Sequence, residues 1–307
     1  MSFTSDVKNE LTRVPPTCTH CERAVLAALI RVEGTLYLVG KGRYRLEIST
    51  DMPKVARLAI QLLHTQYHLR TELTMRQSVL HKTPNYLITV PSQPNLENAI
   101  LDLGVIGEHG LENGVVPRLV EKRCCESAYL RGVFMGSGFI ANPKGDFHFE
   151  MSVSKEELAE DIAKLMRNRD VNARVMQRRS SYLVYLKSGN DISAFLALVG
   201  AHQSALTLEN ARVIKSVRND VNRQVNAELA NQAKAADAAI EQVEAIRKIL
   251  SHKNAAEIPP ALRDFMRLRL EHPSASMKEL GELADPPLSK SAVYHRVRRI
   301  EQMASEI

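Results

Sequence analysis

Apolar positions in the first two thirds of the chain change period in a fixed order, and that order occurs twice. A nearly continuous apolar run, Leu26-Ala27-Ala28-Leu29-Ile30-Arg31-Val32, ends at Glu33-Gly34. It returns 104 positions later as Leu130-Arg131-Gly132-Val133-Phe134-Met135-Gly136-Ser137-Gly138. Both runs read as buried helices stopped by glycine. Two strand-like stretches follow the first, at 35–39 and 43–49, and in the latter Tyr44, Leu46 and Ile48 alternate with Arg43, Arg45 and Glu47. After the second helix, Phe147, Phe149, Met151 and Val153 alternate with Asp146, His148, Glu150 and Ser152. Period two is the mark of a half-buried strand. Each half then predicts a helix (53–66 and 155–169) and a hairpin (69–76 with 86–90, 171–178 with 182–187). A short helix closes each half, opened at Asn95 or Asn190 and stopped at Gly104 or Gly200. The pattern is α-β-β-α-β-β-α, once over 1–112 and again over 113–212.

From 213 to 250 the chain is rich in Ala, Asn, Gln and charge and lacks Pro and Gly. Val217, Val221 and Val225, and later Ile240, Val243 and Ile246, fall at helical spacing, which predicts one or two long helices linking the body to a further domain. Asn219, Asn222 and Asn226 share a face there. With Arg218 and Arg223 they form either a phosphate-binding stripe or a polar seam against neighbouring protein or water. Residues 251–260 read as a linker, and Pro259-Pro260 opens a helix that ends near His272-Pro273.

A second helical domain, 251–307, closes the chain. Ser274 or Ser276 caps a helix over 277–284, Asp285-Pro286-Pro287-Leu288 forms a turn no helix crosses, and Ser289 caps a last helix through Ile300. Val293, Val297 and Ile300 form its inward stripe. Between Leu288 and Ile300 there are four Lys or Arg residues and no acid. Helix, tight turn and basic amphipathic helix is the helix-turn-helix pattern, here with two prolines and no glycine in the turn. Ser291, Tyr294, His295 and Arg298 face outward to reach base edges, while Ser289, Lys290, Arg296 and Arg299 flank them toward phosphates. A solvated basic face on an interaction module is the alternative.

Charge supports an anionic partner without requiring one. The net is +6 with a pI near 9.1, and residues 1–212 hold 26 basic against 22 acidic residues. The strand-borne set Arg43, Arg45, Glu47, Arg70, Glu72, Arg76, Glu150, Arg174 and Arg178 has mixed signs. That is modest for a surface meant to neutralise many phosphates. The start, 1–16, is polar and has no secretory core, and the apolar run 24–30 is too short to span a bilayer, so a cytoplasmic protein with no membrane association is expected.

The paired helices resemble the signature helices of LAGLIDADG homing endonucleases. In that family the two helices pack across a pseudo-two-fold axis and an acid at the end of each holds metal over the scissile phosphates. Small residues, here Ala27, Ala28, Gly132 and Gly136, would permit the close approach. Glu33 supplies one acid, but Ser137 stands where the other belongs, and a neutral hydroxyl is a poor ligand for a hard cation. No catalytic residue is therefore assigned, and the body is expected to lack nuclease activity. Over nearly the whole chain, and most specifically in the Asn-rich stretch 218–239 and in Met277 to Lys290, the sequence is similar to the WhiA family of bacterial regulators. That resemblance implies an α+β protein: a duplicated LAGLIDADG-like body with pseudo-two-fold symmetry plus an all-α helix-turn-helix domain. It implies a nucleoid-associated, transcription-regulating partner of double-stranded promoter DNA, tied to cell division, chromosome segregation and, in actinobacteria, sporulation. An active nuclease, or a structural protein of the division machinery binding a protein partner through the body, are the competing readings.

Four cysteines complete the inventory. Cys18 and Cys21 form a C-x-x-C, Cys124 and Cys125 are adjacent, and Cys21 and Cys125 each lie five residues before the first Leu of a signature helix. His20 is the repeat equivalent of Cys124. The spacing matches no standard zinc module, so these residues are expected to be small packing groups in a reducing compartment, with no metal and no cofactor assigned; a zinc or redox cluster is the alternative.

Overall fold

The computed structural model describes residues 2–40, 42–77, 84–107, 110–254 and 257–307. Two units emerge, Met1–Lys215 and Ser216–Ile307.

The first unit is built on two 15-residue helices, α2 (Thr19–Glu33) and α5 (Arg123–Ser137). They are the two apolar runs, and almost every residue of their middle turns is buried. Helix α2 leads into β1 (Gly34–Leu38), β2 (Tyr44–Thr50), α3 (Pro53–Tyr67), β3 (Glu72–Gln77), β4 (Pro84–Val90) and α4 (Leu96–Asp102). A small hairpin, β5 (Ile106–Gly107) and β6 (Gly110–Leu111), and a 3-10 turn, Pro117–Leu119, lead to α5. The order then repeats as β7 (Gly138–Ile140), β8 (Phe149–Val153), α6 (Glu156–Arg167), β9 (Arg174–Arg178), β10 (Ser181–Leu186) and α7 (Gly189–Val199). The sheets are antiparallel with equivalent orders, β1-β2-β4-β3 and β7-β8-β10-β9. This is the duplicated α-β-β-α-β-β-α body with pseudo-two-fold symmetry. Its core runs through both halves, from Leu26, Ile48 and Ile88 to Phe134, Phe149 and Phe195.

Helices α2 and α5 approach so closely that side chains are excluded. A Cβ on Gly132 would lie 2.5 Å from the Val25 carbonyl oxygen and 2.7 Å from the Ala28 Cβ, and one on Gly136 would lie 2.3 Å from a Val32 methyl.

Several local expectations are corrected. The polar start of the chain is a helix, α1 (Phe3–Leu11), capped by Ser2 and buried through Val7 and Leu11. Strand β8 begins only at Phe149: residues 143–145 form a turn, and His148 keeps one bond across the hairpin, accepting from the Ala141 amide at 2.9 Å. Arg43 and Arg70 lie in loops rather than strands. Helix α7 is capped by Ser188, whose hydroxyl accepts from the Asp191 amide, and Asn190 instead accepts from Arg212. Of the one or two long helices expected over 213–250 there is one, α8 (His202–His252), and it starts earlier, taking in the last residues assigned to the second repeat. No Pro or Gly interrupts those 51 residues. Glu10 caps its start, accepting from the amides of Gln203 and Ser204 at 2.8 and 3.0 Å. No helix among the described residues is long and apolar enough to cross a membrane.

The second unit packs α9 (Pro260–Glu271), α10 (Met277–Leu283) and α11 (Lys290–Ser305) against the end of α8, through Ile246, Ile249, Phe265, Leu280, Val293, Val297 and Ile300. The stretch expected as a linker is not free of the core: Ile258 is buried in it, while Ala255 and Ala256 lie outside the described residues.

Gly132→Val should destabilise the body by about 1–3 kcal/mol or more, because the clash is with backbone and cannot be relieved by a rotamer change. Gly145→Ala, whose Cβ would meet nothing closer than 3.6 Å, is the control. Thermal unfolding followed by circular dichroism should separate them, and equal melting temperatures would contradict the packing described.

Candidate nucleic-acid interface

The helix-turn-helix geometry follows from local sequence. Ser276 and Glu279 form a reciprocal capping box at the start of α10. Ser289 caps α11 by accepting from the Ala292 amide at 3.2 Å. Between them the chain doubles back tightly. The Leu288 amide donates to the Gly281 carbonyl at 2.8 Å, and a Cβ on residue 281 would lie 2.4 Å from the Leu288 oxygen. The glycine of this motif therefore sits inside α10, facing the turn, and not in the turn itself.

Helix α11 presents its candidate residues unequally. Val293, Val297 and Ile300 are buried. Ser289, Lys290, Ser291, Tyr294, His295, Arg298 and Arg299 are exposed. The Arg298 guanidinium stands 5.8 Å from the Tyr294 ring centre, and the Tyr294 and His295 rings are 6.0 Å apart. These three side chains form one contiguous polar and aromatic face. Arg296 differs: it is half-buried and donates to the Ala261 carbonyl at 3.3 Å, turned toward the start of α9. The helix runs five residues past Ile300, and exposed Glu301 follows there, beside Arg298 and Arg299 on the rim of a shallow concavity. The exposed cations of α11 are thus Lys290 in its first turn and Arg298 and Arg299 just past its middle.

Arg269 holds this arrangement from within. Its guanidinium is buried, donating to the Ala275 carbonyl at 2.5 Å and to the Gln242 side chain at 2.7 Å, so it ties α8 to the loop before α10. Sequence reasoning passed over it, because nothing distinguishes one arginine in "RLRL" from the other. On α8 itself, Asn219, Asn222, Asn226, Arg218 and Arg223 are all exposed, and Arg223 pairs with Asp220 at 3.6 Å.

The sheets of the body carry less free positive charge than their sequence suggests. Arg45 lies 3.3 Å from Glu47 and stacks over Tyr37. Glu150 takes His148 at 3.1 Å and Arg178 at 4.0 Å. Arg76 and Arg174 are exposed on the same outer faces, and so are apolar residues, Phe139 and Met176.

At the ends of α2 and α5 the two halves differ. Glu33 is half-buried, and burial first, then Asp51, push its carboxyl up to about 7 against the opposing pull of Lys8. Ser137 occupies the equivalent place, and its hydroxyl turns back to the Val133 carbonyl at 3.4 Å. The Lys8 ammonium, buried from α1, donates to the Gly136 carbonyl at 3.0 Å. Burial holds Lys8 below its usual range, against the raising effect of Asp51 and Glu33. Where a metal clamp needs a second carboxylate, this chain brings a neutral hydroxyl and a cation. Sequence reasoning found the serine but missed the lysine, whose signal was an amphipathic stripe, Phe3, Val7 and Leu11, in a segment read only as polar.

A pseudo-symmetric LAGLIDADG-type body in one chain with a helix-turn-helix unit defines the class. The chain matches the WhiA N-terminal LAGLIDADG-like domain over 19–106, the WhiA LAGLIDADG-like domain over 126–218 and the WhiA C-terminal HTH domain over 221–304. It is 38% identical over 309 residues to a probable cell division protein WhiA of Alkaliphilus metalliredigens, covering 99% of this chain and 98% of that one. It is 41% identical to the same-named protein of Symbiobacterium thermophilum, covering 100% and 98%. The fold matches full-length DUF199/WhiA from Thermotoga maritima with a TM-score of 0.61 at 24% identity, over 100% of this chain and 99% of that chain. This chain belongs to the WhiA family.

The raised Glu33 carboxyl gives a pH test. The folded state binds this proton more tightly than the unfolded state, so stability falls as pH rises from about 4.5 to about 7 and the loss is complete above that. Glu33→Gln has no proton to lose. Its melting temperature should rise relative to the parent by roughly 2–4 °C for each kcal/mol at about pH 8, with little gain at about pH 4.5. An offset independent of pH would show that Glu33 ionises normally.

Proposed function

We propose that this protein is a sequence-specific transcriptional regulator that reads promoter DNA through α11 and acts on genes of cell division and chromosome segregation. The observation that carries this is the exposed Ser291, Tyr294, His295 and Arg298 face, free of acids up to Ile300 and set on a helix fixed by a capped, tightly packed turn. The relatives' name, probable cell division protein, supports the cellular assignment. A DNA reader of this kind works in the cytoplasm, on the nucleoid. The body does not cut DNA in this reading, since Ser137 and Lys8 stand where a second metal-binding carboxylate is needed. Incubation with plasmid and Mg²⁺ or Mn²⁺ should leave it uncut; cleavage that Glu33→Gln abolishes would overturn that part.

A second role for the body is favoured by its edge strand. Leu73 and Met75 of β3 are 54% and 69% exposed and Leu38 at the end of β1 is 71% exposed, a composition suited to a protein partner rather than to phosphate.

Binding to a panel of single-base operator variants at several salt concentrations tests the main reading. Arg298→Ala should relax preference at one base pair by about 1–3 kcal/mol. Arg299→Ala should weaken all sequences alike and flatten the salt dependence by roughly one unit of slope. If neither variant changes preference or affinity, α11 is not the reading helix.

A further inference from the structure

The end of the α2–α5 pair away from Glu33 is the most concentrated unassigned chemistry in the molecule. Cys18 and Cys21, at the cap and first turn of α2, meet Cys124 and Cys125 from the first turn of α5. The Cys18 sulfur lies 3.4 Å from that of Cys21, 3.6 Å from Cys124 and 3.7 Å from Cys125, and all four sulfurs fall within 4.8 Å of one another. None of these separations is a disulfide, which would need about 2.05 Å. A tetrahedral zinc ion with Zn–S bonds of about 2.3 Å sets its sulfurs about 3.8 Å apart. Four thiols already stand near the edges of that tetrahedron. A cubane iron–sulfur cluster would spread its thiolates wider than this. We propose that Cys18, Cys21, Cys124 and Cys125 form a closed tetrathiolate site for a single structural zinc ion that staples the two repeats together.

The surroundings suit the charge such a site carries. Four thiolates around one divalent cation leave two negative charges. The buried Arg131 guanidinium is in electrostatic contact with Cys21, and the N-terminal ends of two 15-residue helices add partial positive charge. The His20 backbone amide donates to the Cys18 sulfur, and backbone groups of Thr17 and Cys18 bond that of Cys21, supplying the outer hydrogen bonds that orient thiolate ligands. Cys21 and Cys125 are buried whereas Cys18 and Cys124 are half-buried, so the ligands run from core to surface and leave an entry path. With all four coordination positions taken by protein, the ion has no open position, and its role is to hold structure. His20, the sequence equivalent of Cys124, is exposed and outside the cluster. Cys18 takes that place, two residues earlier in the chain.

The test is metal analysis and cobalt spectroscopy on the full chain, purified under reducing conditions. About one zinc per chain should be found, released by a thiol-specific mercurial and counted with a chromophoric chelator. Replacing it with Co²⁺ should give sulfur-to-cobalt charge transfer in the near ultraviolet and intense d–d bands in the red, the signature of four thiolates in a tetrahedron. Both should vanish on adding zinc. Cys124→Ser should lower zinc retention at least tenfold, and His20→Ala should leave it unchanged. The cobalt spectrum of the unsubstituted chain stands even if a cysteine variant fails to fold. The proposal is overturned if the reduced chain retains no zinc and gives no thiolate–cobalt spectrum. Bound iron in place of zinc, or a Cys18–Cys21 disulfide in freshly isolated protein, would also overturn it.

Discussion

The packing of α2 against α5 is the constraint on which the body depends. These helices come from halves of the chain more than a hundred residues apart, and they touch along most of their length. That approach is possible only because Gly132 and Gly136 present no side chain to Val25, Ala28 and Val32. Everything else in the first unit is arranged by this pair. The sheets begin where the helices end, at Gly34 and Gly138, so each helix C-terminus fixes the register of its own sheet. The four cysteines converge because they occupy the opposite ends of the same two helices.

Close packing of two equivalent helices imposes near-symmetry on whatever sits at their ends, and the chain departs from symmetry there in one direction. A metal-dependent nuclease would place two carboxylates at that point. Here Ser137 folds its hydroxyl back on its own helix, and α1, which has no counterpart in the second half, delivers the Lys8 ammonium beside Glu33. The buried Lys8 ammonium, with Glu33 and Asp51 both close enough to act on it, repels a divalent ion, and one substitution at Ser137 would not remove that cation.

Much of this was legible in the sequence, for physical reasons that also explain the rest. The signature helices were readable because they are buried all round, and the strands because Leu46, Ile48, Met151 and Val153 alternate with polar neighbours. The inward stripe of α11 was readable for the same reason. Periodicity reports which face is buried, not against what. It could not place Lys8 beside Gly136, bury Arg269 between Gln242 and Ala275, or turn Arg296 toward Ala261. Each depends on a neighbour distant in sequence. The cysteine cluster was legible only in part. Its thiols are split between repeats, so no local spacing resembles a zinc module, and repeat equivalence brings Cys21 and Cys125 to one end of the helix pair but does not show that Cys18 joins them while His20 stays outside.

The second unit poses the opposite problem. Three short helices bury too little apolar surface to be stable alone. They borrow from α8, whose Ile246 and Ile249 enter their core and whose Gln242 receives the buried Arg269. The buried Arg269 guanidinium makes its bonds through its two terminal nitrogens while its Nε has none, and breaking either would add to the cost of burial, so these contacts permit little variation in how α8 meets the loop before α10. The capping box at Ser276 and the tight Gly281–Leu288 approach then fix the angle from α10 to α11. Orientation of the exposed Tyr294 and Arg298 face is thereby set by buried groups. Substitutions that change what the face contacts can accumulate on α11 without disturbing the frame that aims it.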